Sequence, residues 1–200
     1  MFTGIIEALG TIEAIEPVGT NLQLWVSAPF VQELKIDQSV AHNGVCLTVA
    51  ELKDGLYRLD VIQESLNRSS LGLLQPGASV NLERCVQAGQ RMDGHFVQGH
   101  VDTTGTIQQI ENQDGSWDVW ISYPPEQATL IVQKGSVAVD GISLTVAEDM
   151  AGRFRLSLIP YTWQHTNAHS WRVGSPVNLE FDILGKYLHK HFQQLAPRQA

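Results

Sequence analysis

The chain has few charged residues, and the acidic ones outnumber the basic ones. Charged residues make up 17% of the 200 residues, and 13 Lys and Arg against 21 Asp and Glu give a formal net charge of −8. A nucleic-acid binder needs clustered Lys and Arg to neutralise phosphates, and the sequence has no such cluster. The composition argues against a nucleic-acid partner, and the 43% apolar fraction favours a folded globular chain.

Long apolar runs and a secretory signal are also lacking. No segment approaches the length of a membrane span, and the start MFTGIIEALG has neither a basic region nor a long apolar stretch. We therefore expect no membrane contact and a cytoplasmic location. The two cysteines, Cys46 and Cys85, are expected to be free thiols with separate roles, because disulfides are rare in a reducing compartment.

The chain contains an internal repeat that covers almost its whole length. Residues 39–83 align without a gap on residues 136–180, an offset of 97, and about 18 of the 45 positions are identical. The starts of the two copies match at an offset of 95, as in Gly4 with Gly99. Two tandem domains of one type follow, and we place them at residues 1–92 and 93–182.

The mismatches between the copies are the first candidates for function. Cys46 of the first copy aligns with Ser143 of the second, and Cys85 aligns with Asp182. A residue present in one copy alone breaks a symmetry that folding would tolerate. These positions are therefore where two related pockets would acquire different roles.

Short alternating segments bounded by turn residues predict an all-β fold in each copy. The expected strands include residues 11–15, 22–26, 45–49, 57–61 and 80–82, with 117–122 and 154–158 in the second copy. Asn43-Gly44 and Asp140-Gly141 are typical hairpin turns. Segments 29–34 and 125–132 have helical spacing and predict helices of one or two turns.

The last segment has a different period, and residues 183–200 are predicted to form an appended oligomerisation helix and tail. Leu184, Tyr187, Leu188, His191, Phe192 and Leu195 fall on one helical face. An apolar stripe of this kind serves either as an oligomer contact or for packing on the chain's own barrel, and we favour the oligomer contact.

Six segments together resemble the alpha-chain type of the riboflavin synthase family. They are MFTGIIE, SVAHNGVCLTV, VNLER, GHFVQGHVD, KGSVAVDGISLTV and VNLEFDILGKYL, in this order. The resemblance implies two six-stranded Greek-key barrels and a C-terminal helix that holds a homotrimer. It also implies a dismutation of two 6,7-dimethyl-8-ribityllumazine molecules by four-carbon transfer, giving riboflavin and 5-amino-6-ribitylaminouracil, with no metal or redox cofactor.

The resemblance also implies where the chemistry takes place. Each barrel would bind one lumazine, and the reacting pair would form between the N-terminal barrel of one subunit and the C-terminal barrel of its neighbour. In some relatives lumazine synthase encloses the trimer, so a complex with that enzyme is a further expectation.

Four residues are candidates for catalysis. Cys46 could add to the electrophilic C7 of the acceptor lumazine or support a water that does so, although it could equally be a small buried strand residue. His100 suits the base that activates the acidic C7 methyl of the donor, but it could be a satisfied strand residue. Ser39 could instead bond nearby backbone, and Asp182 could cap the final helix.

Ring and polyol recognition is assigned to strand ends and turns. Pteridine edges need a few fixed donors in an apolar pocket, which in the second barrel are Lys134, Ser143, Leu144 and Thr145, and in the first Cys46, Leu47 and Thr48. By resemblance, the ribityl chain would contact Asp60, Val61, Ile62, Gln63, Glu64 and Ser65 in the first barrel and Ser157, Leu158, Ile159, Pro160, Tyr161 and Thr162 in the second. Gly4, Ile5 and Ile6 and Gly99, His100 and Val101 would lie alongside.

Other readings of the sequence remain open. A lumazine-binding or flavin-binding optical protein would keep the barrels without catalysis, but such relatives diverge in GHFVQGHVD. A flavin reductase would need a nicotinamide-binding domain, and no G-x-G-x-x-G follows a strand. The paired histidines lack a matching Cys or carboxylate cluster, so we expect no metal site.

Overall fold

The computed structural model describes residues 1–150 and 152–195 and contains two closed barrels of six antiparallel strands. The first barrel consists of β1 (Ala8–Val18), β2 (Asn21–Ser27), β3 (Ser39–His42), β4 (Val45–Lys53), β5 (Leu56–Val61) and β6 (Ser79–Arg84). The second consists of β7 (Thr103–Asn112), β8 (Trp117–Ser122), β9 (Ser136–Val139), β10 (Ile142–Met150), β11 (Arg153–Leu158) and β12 (Pro176–Phe181). The predicted pair of six-stranded barrels is confirmed.

Both barrels have the same strand order. The first closes as β1-β2-β5-β4-β3-β6, and the second closes in the equivalent order β7-β8-β11-β10-β9-β12. Connections that skip neighbouring strands in this way make a Greek key, as predicted. The prediction missed β3 and β9, because strands of four residues are too short to display an alternating pattern.

The predicted hairpin turns are confirmed, and they meet between the barrels. Asn43 and Gly44 have φ angles of 44° and 79°, and Asp140 and Gly141 have φ angles of 46° and 80°. Positive φ at both central residues is the geometry of a type I′ turn. A Cβ added to Gly44 would lie 2.7 Å from the nitrogen of Gly141, so the two turns can pack together only as glycines.

Each barrel has its own apolar core built from the inward residues of its strands. Leu24, Tyr57 and Leu59 are fully buried in the first barrel, and Phe154 and Leu156 are fully buried in the second. Burying a side chain of this size stabilises the fold by about 1.5–3 kcal/mol. Polar outward residues on the same strands are therefore free to form binding surfaces.

Short helical segments cover the connections. They are α1 (Gln63–Arg68), α2 (Pro160–His165) and 3-10 turns at Val31–Glu33, Ser70–Leu73, Pro125–Leu130 and Asn167–Ser170. The helices predicted at 29–34 and 125–132 are thus present as short 3-10 segments. The prediction missed α1 and α2, because six residues are too few to show a helical period.

The C-terminal helix α3 (Ile183–Leu195) carries the predicted apolar stripe on an exposed face. Leu184, Tyr187, Leu188, Phe192 and Leu195 are between 58% and 77% exposed. The helix also approaches the 3-10 turn Pro125–Leu130 of its own barrel, where Gly185 lies beside the carbonyl of Leu130. Residues 196–200 of the predicted helix and tail lie outside the described residues. Among the described helices, none has the length and apolarity required to cross a membrane.

Candidate functional site

Two segments cross between the barrels, and they shape the candidate site. The segment before β1 and the segment before β7 pair antiparallel at Phe2 and Val97, with N···O distances of 2.7 and 3.1 Å. The two side chains are buried with Ala41 and Ala138 in a small core between the barrels. Each segment therefore leaves its own barrel and reaches the surface of the other.

Each crossing segment ends at a glycine that touches the opposite barrel. Gly99 accepts a hydrogen bond from the Cys46 amide at 2.8 Å, and Gly4 accepts one from the Ser143 amide at 2.8 Å. A Cβ on Gly99 would lie 2.5 Å from the Cβ of Cys46, and one on Gly4 would lie 2.6 Å from that of Ser143. Both glycines have positive φ, so size and conformation both demand glycine here.

A buried glutamate fixes each crossing segment. Glu83 accepts hydrogen bonds from the Thr3 amide, the Thr3 hydroxyl and the Gly4 amide at 2.6–2.9 Å. Glu180 accepts bonds from the amides of residues 98, 99 and 100 at 2.6–2.9 Å. Burial raises the pKa of both carboxyl groups, although the bonded amides favour the ionised form.

The first barrel brings together Cys46, Ser39, Thr48 and His100. Ser39 and Thr48 face each other across β3 and β4, and the Ser39 side chain lies near the thiol of Cys46. His100 arrives with the crossing segment next to Gly99, and its side chain is exposed beside Cys46 in a cavity of about 320 Å³. Three of the four catalytic candidates therefore lie at this barrel.

The thiol of Cys46 is in its neutral form near pH 7. Burial raises its pKa, which outweighs the lowering effect of the Ser39 hydrogen bond. A neutral thiol is a weak nucleophile but can contact the ring or hold a water. The raised pKa thus favours the supporting role of Cys46 over direct addition to the lumazine.

The second barrel places Ser143 against a different histidine. Nδ1 of His95 lies 2.7 Å from the Ser143 hydroxyl, and Nε2 is buried with no hydrogen-bond partner in the described residues. Burial lowers the pKa of His95, and the charge of Asp182 raises it to a smaller extent. His95 is therefore a neutral imidazole held against Ser143, and its second nitrogen is buried in the single chain.

The fourth catalytic candidate, Asp182, belongs to this second barrel. Its Oδ1 accepts a hydrogen bond from the Leu184 amide at 2.9 Å, so it caps the start of α3. The cap that the sequence suggested is present, and the same carboxylate acts on His95 through its charge. Lys134 has an exposed side chain and a positive φ of 69°, and its amide bonds the carbonyl of Val146.

The ring and polyol candidates of the first barrel line a second cavity of about 550 Å³ beside Cys46. Leu47, Thr48, Asp60, Ile62 and Ser65 contribute to this cavity. The side chains of Leu47 and Val61 point into the barrel core, so only their main-chain atoms can face a ligand.

The other polyol candidates lie on or beside α1 and α2. In α1, Gln63 bonds Asn67, and Glu64 forms an ion pair with Arg68. At the equivalent place in α2, Tyr161 stacks on His165 with centroids 4.0 Å apart. The side chain of Leu158 is buried, whereas Ser157, Ile159, Pro160 and Tyr161 are exposed and Thr162 and Leu144 are half-buried.

The remaining candidates, beside Gly4 and Gly99, also include both exposed side chains and side chains packed on a barrel core. Ile5 is half exposed, Ile6 packs on the core of the second barrel, and Val101 packs on the core of the first and lines the cavity of about 320 Å³. The predicted domain border at residue 93 lies just before the second crossing segment. Because that segment contacts both barrels, the border stays a prediction.

Sequence reasoning missed Glu83 and Glu180, and it noted His95 without assigning it a catalytic or binding role. The two glutamates sit in the repeated letters VNLE, and a charged residue kept inside an apolar strand in both copies was the signal that could have found them. His95 has no counterpart in the first copy, so the comparison of copies could not reveal it. In the described part of the chain, no three His, Cys, Asp or Glu side chains are grouped closely enough to hold a metal ion.

Comparison with known proteins gives the same pattern in both halves of the chain. The Lumazine binding domain family matches residues 3–85 and again residues 98–182. Riboflavin synthase of Mycobacterium tuberculosis (strain ATCC 25618 / H37Rv) is 44% identical over 196 residues, covering 95% of this chain and 97% of the relative. Riboflavin synthase of Actinobacillus pleuropneumoniae is 43% identical over 189 residues, covering 94% and 88%.

Solved structures of LumP have the same fold. LumP complexed with 6,7-dimethyl-8-(1'-D-ribityl) lumazine matches with a TM-score of 0.82 and 21% identity, covering 90% of this chain and 98% of that one. LumP complexed with riboflavin matches with a TM-score of 0.85 at the same identity, covering 90% and 99%. At this identity the likeness concerns the fold alone.

Proposed function

The chain belongs to the riboflavin synthase family, and from that membership we propose that it converts two molecules of 6,7-dimethyl-8-ribityllumazine into riboflavin and 5-amino-6-ribitylaminouracil. One lumazine gives a four-carbon unit to the other, so the reaction needs two copies of one substrate and no outside oxidant. The observation that carries the proposal is the pair of equivalent barrels with unlike residues at equivalent positions.

The duplicated barrel solves a problem of proximity. Two related pockets can hold two identical molecules in a fixed orientation, which replaces a costly bimolecular encounter. The crossing segments support this arrangement, since Glu180 fixes Gly99 and His100 against Cys46, while Glu83 fixes Gly4 against Ser143. The residues that the glutamates hold thus also hydrogen-bond the opposite barrel.

Proton transfer is the second requirement of the reaction. The donor lumazine must lose a proton from its C7 methyl group, and a neutral imidazole is suited to accept it near pH 7. His100 beside Cys46 is our candidate for the base, and neutral His95 is the candidate that positions the Ser143 hydroxyl in the second barrel. The neutral thiol of Cys46 and the hydroxyls of Ser39 and Thr48 would hold the ring or a water.

The trimer is also part of the proposal. The apolar face of α3 is exposed in the single chain, while the helix approaches its own barrel at Gly185. A homotrimer that buries this face would set the N-terminal barrel of one subunit against the C-terminal barrel of the next. Phe192→Glu should then lower the mass measured by light scattering from three chains to one. The cytoplasmic location and the complex with lumazine synthase stay predictions.

The test of the reaction is its stoichiometry. Purified protein incubated anaerobically with 6,7-dimethyl-8-ribityllumazine alone should form riboflavin in half the amount of lumazine consumed. His100→Gln should slow the reaction strongly. His169→Gln is the matched control, because His169 bonds a main-chain carbonyl in a 3-10 turn and should leave the rate unchanged.

The second candidate function is an optical protein that binds lumazine without turnover, and LumP, which has the same fold, was solved with this ligand bound. This chain keeps Ser39, Cys46 and His100 at one barrel and His95 and Asp182 at the other. Tight binding of lumazine with no riboflavin formed would favour the optical protein and overturn the enzyme.

A further inference from the structure

Both barrels carry an arginine held by two carboxylates on their outer surface. Arg58 bonds Glu51 at 3.1 Å and also pairs with Asp60. The equivalent Arg155 bonds Glu148 at 3.3 Å and Asp118 at 2.8 Å. The arginine and the first glutamate are conserved between the copies at an offset of 97, but the second carboxylate is not.

The second carboxylate has moved to the neighbouring strand. In the first barrel Asp60 on β5 lies opposite Gln23 on β2. In the second barrel the carboxylate and the neutral residue have exchanged strands, because Ser157 on β11 lies opposite Asp118 on β8. Each barrel therefore keeps one arginine and two carboxylates. The residue on the strand after the arginine changes from Asp60 on β5 to Ser157 on β11.

The hydrogen bonds in the second barrel fix the direction of the serine hydroxyl. Ser157 donates to Oδ1 of Asp118 at 2.5 Å and accepts from Nη1 of Arg155 at 3.1 Å. The hydroxyl proton of Ser157 is thus used in the bond to Asp118, so toward a further partner Ser157 can act only as an acceptor. Asp60, whose side chain is 53% exposed, is also an acceptor when ionised.

The position faces a cavity in the first barrel. Asp60 lines the cavity of about 550 Å³ together with Cys46, Thr48 and Ser65. Ser157 occupies the equivalent outward position, and it is exposed. Asp118 is less accessible, with a side chain 17% exposed, and it acts through Ser157 and Arg155 instead of facing the ligand.

We propose that Asp118 is a positioning residue that turns Ser157 into an obligatory hydrogen-bond acceptor, so that both barrels select a polyol hydroxyl that donates at this point. The inference rests on the proposed function, in which each barrel binds one ribityl chain. The first barrel uses a carboxylate directly, and the second reaches the same polarity with a neutral hydroxyl oriented by a carboxylate.

The test compares two flavins in equilibrium titrations followed by fluorescence. Riboflavin carries the ribityl chain and lumiflavin has a methyl group in its place, and neither reacts. Asp118→Leu removes the acceptor that orients Ser157, so riboflavin should bind about tenfold more weakly at the second barrel, as expected for one lost hydrogen bond. Lumiflavin should bind as in the wild type.

Two compensating variants sharpen the test. Asp118→Leu with Ser157→Asp places a carboxylate where the first barrel has one, and riboflavin affinity should return to within about twofold of wild type. In the first barrel, Asp60→Ser should weaken riboflavin binding, and adding Gln23→Asp should restore it by copying the second barrel.

Three outcomes would overturn the inference. Wild-type riboflavin affinity in Asp118→Leu is one, and equal weakening of riboflavin and lumiflavin, which indicates only a structural ion pair, is another. Failure of both compensating variants in proteins with normal thermal unfolding is the third. These readouts need no turnover, so they remain separate from the stoichiometry that tests the proposed reaction.

Discussion

The two barrels have the same strand order, and they differ in the side chains that face the candidate site or the other barrel. The first presents Cys46 with His100, and the second presents Ser143 with His95 and Asp182. Strand order, hairpin turns and the glutamate anchors are the same in both. Duplication thus supplied two barrels of one strand order, and a few substitutions separate the side chains that they present.

The buried surface between the barrels is also asymmetric. Asn43 occupies the first hairpin turn and Asp140 the second, and both belong to a polar network with Asn81, Asn167 and Asn178. The Asp140 carboxylate, which has an amide in its place at Asn43, therefore distinguishes the two turns. The difference indicates that the contact between barrels, like the pockets, is not symmetric in its electrostatics.

The largest effect is expected from disrupting the contact between a crossing segment and the opposite barrel. Gly99→Ala places a methyl group against Cys46 and forces a residue other than glycine to adopt a φ of 81°. We expect a loss of about 3 kcal/mol in the free energy of unfolding and a fall in kcat of about 100-fold, because His100 would be displaced. Urea unfolding and steady-state rates measure both.

Gly55→Ala is the matched control for this substitution. Gly55 has a φ of 78°, but nothing lies within 4 Å of the position that its Cβ would take. Only the conformational cost of about 1 kcal/mol should appear, and the rate should be normal. Equal effects of the two substitutions would contradict the close contact as the cause.

The asymmetry between the barrels should appear as a pH dependence of stability. Burial raises the pKa of Asp140 from 3.8 to about 6, despite hydrogen bonds from Asn178, Asn167 and Trp171. The native state therefore binds a proton more tightly than the unfolded state, so this group stabilises the fold below pH 3.8. That contribution, about 3 kcal/mol, is lost as the pH rises through 6.

Asp140→Asn makes the second turn resemble the first and should remove this component. The free energy of unfolding of the wild type, minus that of the variant, should fall between pH 4 and pH 6.5, as measured by urea unfolding at each pH. A difference that does not change with pH would show that Asp140 keeps an ordinary pKa in the folded protein.

The two glutamate anchors should affect opposite barrels. Glu180→Gln replaces a carboxylate that accepts three bonds with an amide that can accept only through one oxygen, so we expect a cost of about 1–3 kcal/mol and a rate reduced about tenfold. Glu83→Gln should have a similar cost, because Glu83 also accepts three bonds.

Ligand binding tells the two anchors apart. The Glu180 variant should weaken binding at the first barrel through Gly99 and His100, and the Glu83 variant should weaken it at the second through Gly4. Titration with riboflavin resolves the two sites. Weakening of the same site by both variants would contradict the proposal that each crossing segment shapes the site of the opposite barrel.

The smallest effect is expected where the barrels are made most alike. Cys46→Ser gives the first barrel the residue that the second has at Ser143, and the hydroxyl keeps a partner in Ser39. Because the thiol is neutral, we expect the rate to fall less than about tenfold. Complete loss of turnover in a folded, ligand-binding variant would instead indicate that Cys46 adds covalently to the lumazine.

The sequence predicted the barrels well because the repeat and the alternation are local patterns. Asn43-Gly44 and Asp140-Gly141 specify their turns by residue type alone, and the exposed stripe of α3 is visible as a helical period. The cap formed by Asp182 was also foreseeable, since Asp before an apolar helix is a common cap.

What the sequence could not supply are relations between distant residues. The contact of Gly99 with Cys46 depends on a segment that leaves its own barrel, and nothing in its letters indicates the crossing. The bond from Ser157 to Asp118 depends on the register of β8 and β11, which is fixed only when the barrel closes. The partners of His95 and of the buried glutamates, Ser143 and the two crossing segments, are likewise distant in the sequence.

Mixed trimers offer the most direct test of unlike barrels that react across subunits. One chain carries His100→Gln, which damages the first barrel, and the other carries His95→Gln, which damages the second. Refolded together in equal amounts, they should recover about a quarter of the wild-type rate, because random assembly pairs two intact barrels at that fraction of interfaces. If the mixture is no more active than either variant alone, the two barrels do not combine across subunits, and the account is wrong.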